Sequence, residues 1–503
     1  LAAIVVAGCN FAPLFVTGGD FVETGRTLSH FTAIQVDPRS EDSAGPQFVA
    51  ASDVNEDGLM DLVSAWNQTQ PVQIHLQRRD TAGAISFETI TLAGNIPVVS
   101  VAGLAVADFD NDGREDIAAL IKESLLDGAG CLSGASAESG SAGVVIIYFA
   151  PQDPSEANRA LAWEEVRIGN SLLLGSGETC CRPEEGGYTA MAVGDMDCDG
   201  DLDIVAALNG ACGNGILLFT NLSPELAHPS SMETGRYDIG TWNREVIPDA
   251  FPGSSLDSGN YKDVALADVD HDGDLDIVLT RPAARSMNIR WLRNPLCPPL
   301  GGEPAPFDVA DDQWHVGTVG QIDCAGGADI LRLGDIDRDG IVDVVMRSTT
   351  GGLIQWLKGP ATPTTDPYRN IPWQVFTLAE FRDRTPEALA LGDVNFDGQL
   401  DLITSAEGAL LMFDAQNASS VFDQWPELLI IDDDPSDQSD DGATTADPNV
   451  EQEEVASTTA INSIVVADID GDGANDLVAT FDRSGLSGLS NDVLVWFRNT
   501  QRP

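Results

Sequence analysis

Short apolar runs recur along the chain in a fixed order, divided by polar or glycine-rich stretches. One kind of run, as in Leu104–Ala107, Met191–Gly194, Val264–Ala267 and Ile464–Ala467, is followed across a short acidic stretch by a second, as in Ile117–Leu120, Ile204–Ala207 and Ile277–Thr280. Runs of β-formers on both sides of a tight turn predict an antiparallel pair of strands. A third kind is richer in aromatics: Val144–Phe149, Gly215–Asn221, Ile289–Asn294, Ile354–Leu357, Leu410–Phe413 and Val493–Asn499. A fourth is usually headed by tryptophan, in Trp163–Ile168, Trp242–Ile247, Trp314–Val316, Trp373–Leu378 and Trp425–Ile430, and Ile85–Ile90 takes the same place in the first unit.

Each unit therefore predicts four strands, and it recurs seven times. Four-stranded units in series are the blades of a propeller. The expected fold class is all-β, a seven-bladed β-propeller of four-stranded blades. The last unit lacks its fourth run, and the isolated run Phe31–Val36 is expected to supply it. An N-terminal strand joining the C-terminal blade closes the ring and removes the edges that an open array exposes. The propeller then covers residues 31–503, with insertions at 125–141, 151–187, 222–240, 297–313 and the acidic stretch 432–454, and with a helical turn expected around Asn158–Glu165. Residues 1–30 form an N-terminal extension, for which extra strands, a segment docking on a neighbouring subunit and a processed leader are the three readings. The tryptophans, heading recurrent strands, read as packing between blades rather than as a glycan-binding row.

The acidic stretch between the first and second runs has one pattern, Asp-x-Asp/Asn-x-Asp-Gly-x-x-Asp. Its oxygen-bearing places 1, 3, 5 and 9 are Asp53, Asn55, Asp57 and Asp61; Asp108, Asp110, Asp112 and Asp116; Asp195, Asp197, Asp199 and Asp203; Asp268, Asp270, Asp272 and Asp276; Asp335, Asp337, Asp339 and Asp343; Asp393, Asn395, Asp397 and Asp401; and Asp468, Asp470, Asp472 and Asp476. Four side-chain oxygens, an inward carbonyl at place 7 and a glycine at the turn make a hard cage of about seven ligands, suited to Ca²⁺ and poorly matched to the compact Mg²⁺ octahedron. Turn preference alone does not fix four oxygen positions in seven copies. An EF-hand carries long amphipathic helices around such a loop, and none is predicted here. About seven structural Ca²⁺ sites are expected.

Net charge changes the picture further. Against 26 basic residues stand 80 acidic ones, for a net charge of −54, more than seven divalent ions can neutralise. Such a surface repels nucleic acid and anionic membranes, and Leu1–Ala7 is too short to span a bilayer. Eight cysteines suggest staples on insertions: Cys297 with Cys324, two bonds among Cys180, Cys181, Cys198 and Cys212, and Cys9 with Cys131. With no C-x-x-C pair, zinc is the weaker reading. Disulfides and calcium loops together point to a secreted, extracellular or cell-surface protein, and sequons at Asn67, Asn221 and Asn417 are compatible with a secretory route and a glycoprotein.

The segment Tyr188–Val205, with Gly194-Asp195-Met196-Asp197-Cys198-Asp199-Gly200-Asp201-Leu202-Asp203, resembles the FG-GAP/VCBS repeats of integrin α-subunit heads and of many secreted bacterial and algal proteins. The resemblance extends over roughly residues 31–500. It implies that Asp195, Asp197, Asp199 and Asp203 are ligands together with the Asp201 carbonyl, that the calcium is structural, and that the setting is adhesion, matrix or carbohydrate-associated. Integrins carry the cage on only some blades and continue into leg domains, whereas here every blade has one.

The expected function is a secreted, calcium-stabilised structural or adhesion scaffold without catalytic residues. Its partners would be other protein subunits or extracellular glycans, with self-assembly through residues 1–30. The alternative is a propeller-based polysaccharide lyase or hydrolase. That enzyme needs a base cluster, and His30, His75, His228, His271 and His315 fall in unrelated contexts.

Overall fold

The computed structural model describes residues 31–38, 45–67, 72–92, 98–125, 140–170, 187–209, 215–222, 242–247, 261–281, 289–297, 314–320, 328–348, 352–360, 373–381, 385–415, 421–431, 460–482 and 493–501. Expectations for residues 1–30, for His30 and His228, for Asn417, for Cys9, Cys131, Cys180, Cys181, Cys212 and Cys324, and for the stretch 432–454 lie outside these residues.

The chain folds as an all-β, seven-bladed propeller of four-stranded antiparallel sheets. Blade 1 holds β1's successors β2 to β5 (Pro46–Ser52, Asp61–Trp66, Val72–Arg79, Ile85–Leu92), where β1 itself is Phe31–Pro38. Blade 2 is β6 to β9 (Val98–Ala107, Asp116–Leu125, Gly140–Phe149, Glu164–Asn170) and blade 3 is β10 to β13 (Gly187–Gly194, Asp203–Asn209, Gly215–Asn221, Trp242–Ile247). Blade 4 is β14 to β17 (Val264–Ala267, Asp276–Thr280, Ile289–Arg293, His315–Gly320) and blade 5 is β18 to β21 (Ile330–Gly334, Asp343–Ser348, Leu353–Lys358, Gln374–Glu380). Blade 6 is β22 to β25 (Pro386–Gly392, Asp401–Ala406, Ala409–Phe413, Glu427–Ile431), and blade 7 is β26 to β28 (Ala460–Ala467, Asp476–Asp482, Val493–Asn499) with β1 as its outer strand. The closure is antiparallel, Ile34 opposite Trp496 and Ala33 opposite Phe497. The 151–187 stretch is not one insertion: two 3₁₀ turns, Pro154–Glu156 and Ala160–Ala162, lead into β9, which completes blade 2. Likewise β7 and β8 take both ends of the 125–141 stretch into the sheet.

The layering follows from the sequence pattern of each strand. First strands of adjacent blades neighbour one another around the ring, from β2 through β6, β10, β14, β18 and β22 to β26 and back to β2. Second strands are buried on both faces, as in Asp61–Trp66 and Asp276–Thr280, and so read as continuous apolar runs. Outer strands alternate, as in Trp242–Ile247, because one face meets water. At the crowded inner rim small residues end the first strands; a Cβ on Gly194 would stand 2.6 Å from Leu275 Cδ1, and one on Gly392 would stand 2.5 Å from Val466 Cγ1.

The core is not one mass. Among the described residues, seven apolar clusters each fill the space between two neighbouring blades, the last joining Val36, Leu494 and Trp496 of blade 7 to Val49 and Leu62 of blade 1. The tryptophans that head outer strands lie in these clusters: Trp163 between blades 1 and 2, Trp242 beside Phe109 between blades 2 and 3, Trp373 between blades 4 and 5, and Trp425 between blades 5 and 6. They are core residues, as their placement at strand starts predicts.

Because β1 supplies both the outer strand of blade 7 and part of the last cluster, a chain beginning at residue 39 is expected to lose roughly 3–5 kcal/mol relative to one beginning at residue 31, about the worth of two buried aliphatic side chains. Hydrogen exchange checks this directly: the β28 amides should lose protection first.

Candidate metal centres

All seven acidic stretches connect a first strand to a second strand, so the common sense of the blades gathers them at one rim of the ring. Each is built by its own backbone. The place-1 aspartate accepts the place-5 N–H at 3.0–3.1 Å and the place-6 glycine N–H at 2.8–3.1 Å in every loop. The place-5 aspartate accepts the place-7 N–H at 2.6–3.3 Å in every loop. This folding requires left-handed backbone at two places. The place-6 glycines have φ between 76° and 98°, and place 4 has φ between 55° and 65°. Place 4 is Glu56, Asn111, Cys198, His271, Arg338 and Phe396, with a glycine only at Gly471. A side chain in that region costs on the order of 1 kcal/mol, and for Phe396 no local hydrogen bond of its own offsets the cost in the way Asn or Asp can manage. Sequence reading placed His271 outside the ligand set and had no signal for this second left-handed position.

Place 9 is the first residue of each second strand, and Asp61, Asp116, Asp203, Asp276, Asp343, Asp401 and Asp476 are at most 1 % exposed. One carboxylate oxygen accepts the place-2 N–H in six loops, at 2.8–3.2 Å. The other accepts an N–H from the end of the third strand, from Gln77, Ala150, Asn221, Asn294, Gly359 and Asn499, at 2.6–2.9 Å. Burial, reinforced by the neighbouring carboxylates and opposed by these N–H bonds, lifts Asp61 and Asp203 to about 7, Asp116 and Asp401 to about 8, and Asp343 and Asp476 to about 6; Asp276 is likewise well above the ordinary carboxylate range.

Carboxylate oxygens converge within 4.8 Å in five loops: Asp108, Asp110 and Asp116; Asp195, Asp197 and Asp199; Asp268, Asp270 and Asp276; Asp335, Asp337 and Asp339; and Asp468, Asp470 and Asp476. The fourth aspartate of each stands outside its group. The loops with Asn55 and Asn395 offer one carboxylate fewer. Two such charges at 4.8 Å repel by about 3 kcal/mol at an effective dielectric of ~20. Buried oxygens without a hydrogen-bond partner lie in the same loops: Asp61 Oδ2 in a fully buried residue, Asp337 Oδ1 in a side chain 9 % exposed, and Asp197 Oδ1. Converging, incompletely partnered, all-oxygen donors are compatible with a divalent cation.

The loops also join the blades. The amide of the residue that ends the third strand donates to the place-2 carbonyl of the preceding blade: Asn221 Nδ2 to Phe109 O at 2.8 Å, Asn294 Nδ2 to Met196 O at 2.7 Å, Asn499 Nδ2 to Val394 O at 2.9 Å and Gln77 Nε2 to Ile469 O at 2.7 Å. The place-2 side chains beside those carbonyls, such as Phe109, Met196 and Ile469, are buried plugs between the blades. Sequence analysis passed over this lock, although an amide recurs at the end of three of the quoted third strands. It also corrects one expectation. Asn221 is fully buried with its amide nitrogen donated to Phe109 O, so the folded ring does not present this sequon to solvent. Asn67 accepts the Val101 N–H at 3.1 Å through its oxygen.

The same junction explains a second correction. Cys297 bonds to Cys198, with 5.2 Å between Cα atoms, and not to Cys324. Cys198 is place 4 of the blade 3 loop, and Cys297 lies just past Asn294, which already holds that loop, so the lock brings the two sulfurs together across 99 residues. A serine–histidine pair also went unnoticed. His75 Nε2 lies 2.7 Å from Ser64 Oγ and His75 Nδ1 lies 2.9 Å from Thr89 Oγ1, while Trp66 Nε1 donates to Ser64 Oγ at 2.7 Å. Ser64 and His75 have no exposure, so solvent does not reach the pair and it serves as a polar brace within blade 1.

Residues 53–119 match the family model described as FG-GAP-like repeat, a span that takes in the loops of blades 1 and 2. The chain is thus a seven-bladed propeller with an FG-GAP-like repeat at its N-terminal end. No curated protein matches the sequence. Among solved structures, the crystal structure of BBS1N in complex with ARL6DN, soaked with mercury, is similar at 13 % identity and a TM-score of 0.47, covering 95 % of this chain and 99 % of that one. The lead-soaked crystal of the same complex gives 14 % identity and a TM-score of 0.43 with the same coverage.

Two outcomes follow from this geometry. Asn294→Ala removes one buried and one part-buried donation and the Oδ1 acceptor of the Leu296 N–H, and should lower stability by about 2–3 kcal/mol in urea denaturation. In chelated protein, the place-9 aspartates hold protons in the fold that the unfolded chain releases near pH 4. Their raised values, about 6 to 8, mean the folded state binds more protons across that window. Stability of the chelated protein is therefore expected to fall as pH rises from about 4 to about 8, which thermal melts in EGTA at stepped pH will show.

Proposed function

We propose that the protein is a calcium-stabilised propeller scaffold working outside the cell, as an adhesion or structural subunit that contacts other proteins or glycans. The observation that carries this reading is the repetition of one backbone-built acidic loop in every blade, with oxygens converging in five of them. The donor set is carboxylates, two asparagine amides and a place-7 carbonyl, which favours Ca²⁺ over Mg²⁺. In blade 3 the holders would be Asp195, Asp197, Asp199 and Asp203 with the Asp201 carbonyl, and the corresponding places serve in the other blades. A bound ion supplies positive charge where the fold concentrates negative charge, so ion binding and folding are coupled. Every blade sharing the device argues for rigidity of the whole ring rather than for chemistry at one point.

Three observations support the extracellular setting. All-oxygen calcium loops in extracellular modules work at roughly 10⁻⁴–10⁻³ M calcium, a range this donor set fits. The Cys198–Cys297 bond persists in an oxidising compartment. A net charge of −54 keeps such a ring soluble and is relieved by divalent ions. Among the described residues no helix is long and apolar enough to cross a membrane.

Thermal unfolding of the full chain in Ca²⁺, in Mg²⁺ and in EGTA tests the reading. A saturated site at ~100 Kd adds about 2.7 kcal/mol, so millimolar Ca²⁺ should raise the midpoint by about 10 °C or more, with Mg²⁺ well behind. A midpoint indifferent to chelation sinks the proposal. Light scattering with and without Ca²⁺ addresses assembly, and a particle of 53.2 kDa in both conditions would remove self-association from the reading.

A further inference from the structure

One position of the third strand divides the seven loops. The residue after the first loop-flanking position of each second strand's partner lands beside the loop, as the registers fix: Ile277 faces Leu292, Val344 faces Leu357, Leu402 faces Phe413 and Leu477 faces Phe497. The next residue is Arg293 in blade 4, Lys358 in blade 5, Asp414 in blade 6 and Arg498 in blade 7. By the same register, with Leu62 facing His75, Ile117 facing Tyr148 and Ile204 facing Phe219, it is Leu76, Phe149 and Thr220 in blades 1, 2 and 3.

The three cations do the same thing. Arg293 donates from Nε to Asp270 Oδ2 and from Nη2 to Asp272 Oδ2, both at 2.9 Å, and only 7 % of its side chain is exposed. Lys358 Nζ bridges Asp337 and Asp339. Arg498 pairs with Asp470 and lies 3.7 Å from Asp472. In each blade the bridged groups are places 3 and 5, two of the four side chains that would hold an ion. Blade 2 differs: the third-strand position holds Phe149, and Arg114 grips Asp112 from within its own loop. Blade 1 has only a 3.5 Å contact from exposed Arg78 to Asp57. In blade 6 the buried Asp414 adds a carboxylate at the position where blades 4, 5 and 7 place a cation, and Asn395 had removed one from the pattern.

Resting on the calcium reading above, we propose that the loops of blades 4, 5 and 7 carry their own counter-cation and bind Ca²⁺ weakly, while those of blades 1, 2, 3 and 6 form a tight class. A divalent ion entering the first group must displace a third-strand cation already seated on two of its ligand side chains, whereas the third strands of the second group place Leu76, Phe149, Thr220 and Asp414 at that position. The ring is then held in three blades by internal ion pairs and in four by imported ions, so part of its rim keeps its shape whatever the calcium level.

Equilibrium dialysis of the full chain across about 1 µM to about 10 mM Ca²⁺, the range from sensor to extracellular sites, decides this, with bound calcium read by atomic emission. Two classes are expected, about four ions binding at least about tenfold more tightly than the other three. The triple variant Arg293→Gln, Lys358→Gln, Arg498→Gln should bring all the sites into the tight class. The reciprocal Thr220→Arg should remove one tight ion, and it keeps the test open if the triple variant does not fold. Seven equivalent ions in the wild-type chain, or a tight class unmoved by these changes, overturn the division and leave the calcium reading standing. No bound calcium at any concentration overturns the calcium reading itself.

Discussion

The buried carboxylate that opens each second strand is the interaction on which this ring depends. Asp203 shows its reach: one oxygen takes the Met196 N–H of its own loop, and the other takes the Asn221 N–H at the end of the third strand. Asn221 then donates its side-chain amide to Phe109 O of the preceding blade. A single aspartate thus ties a turn, two strands and a blade junction, and it does so without exposure to water. Buried carboxylates are stable only when their hydrogen-bonding capacity is filled, and here backbone N–H groups of fixed geometry fill most of it.

That arrangement concentrates charge. Places 1 and 3 gather with place 9 in three loops and with place 5 in two, and the backbone N–H groups that hold them cannot cancel several full negative charges. The chain meets this excess in more than one way: arginine or lysine from the third strand in blades 4, 5 and 7, an arginine within the loop in blade 2, and an amide replacing a carboxylate in blades 1 and 6. Loops that look like copies in sequence are therefore electrostatically unequal, and any divalent ion meets a different local field in each.

Closure is the second constraint. Each apolar cluster lies between two blades, so no blade buries its faces alone, and the ring is complete only when β1 pairs with β28 and Val36 joins Trp496 and Leu62. The covalent tie between Cys198 and Cys297 reinforces the junction that Asn294 already holds by hydrogen bonds, as other amides do elsewhere in the ring.

The sequence by itself determined the architecture. Strand periodicity, the seven-fold acidic pattern and the orphan run Phe31–Val36 specified the blade count, the four-strand order and the closure, because these depend on local alternation and on counting, and both are written along the chain. It also placed the acidic groups in one turn of each blade, although three rather than four of their carboxylates converge, and in five of the loops. Tertiary structure decided what lies across a strand or a junction. The partner of Cys297, the burial of the Asn221 sequon, the left-handed backbone under Phe396 and the cations bridging places 3 and 5 all depend on contacts between residues far apart in sequence or on the exact path of the turn. Arg293 is separated from Asp270 by a whole hairpin, and only the antiparallel register brings its guanidinium onto the carboxylates. Spacing can encode a cage, but the charge that enters it comes from the neighbouring strand.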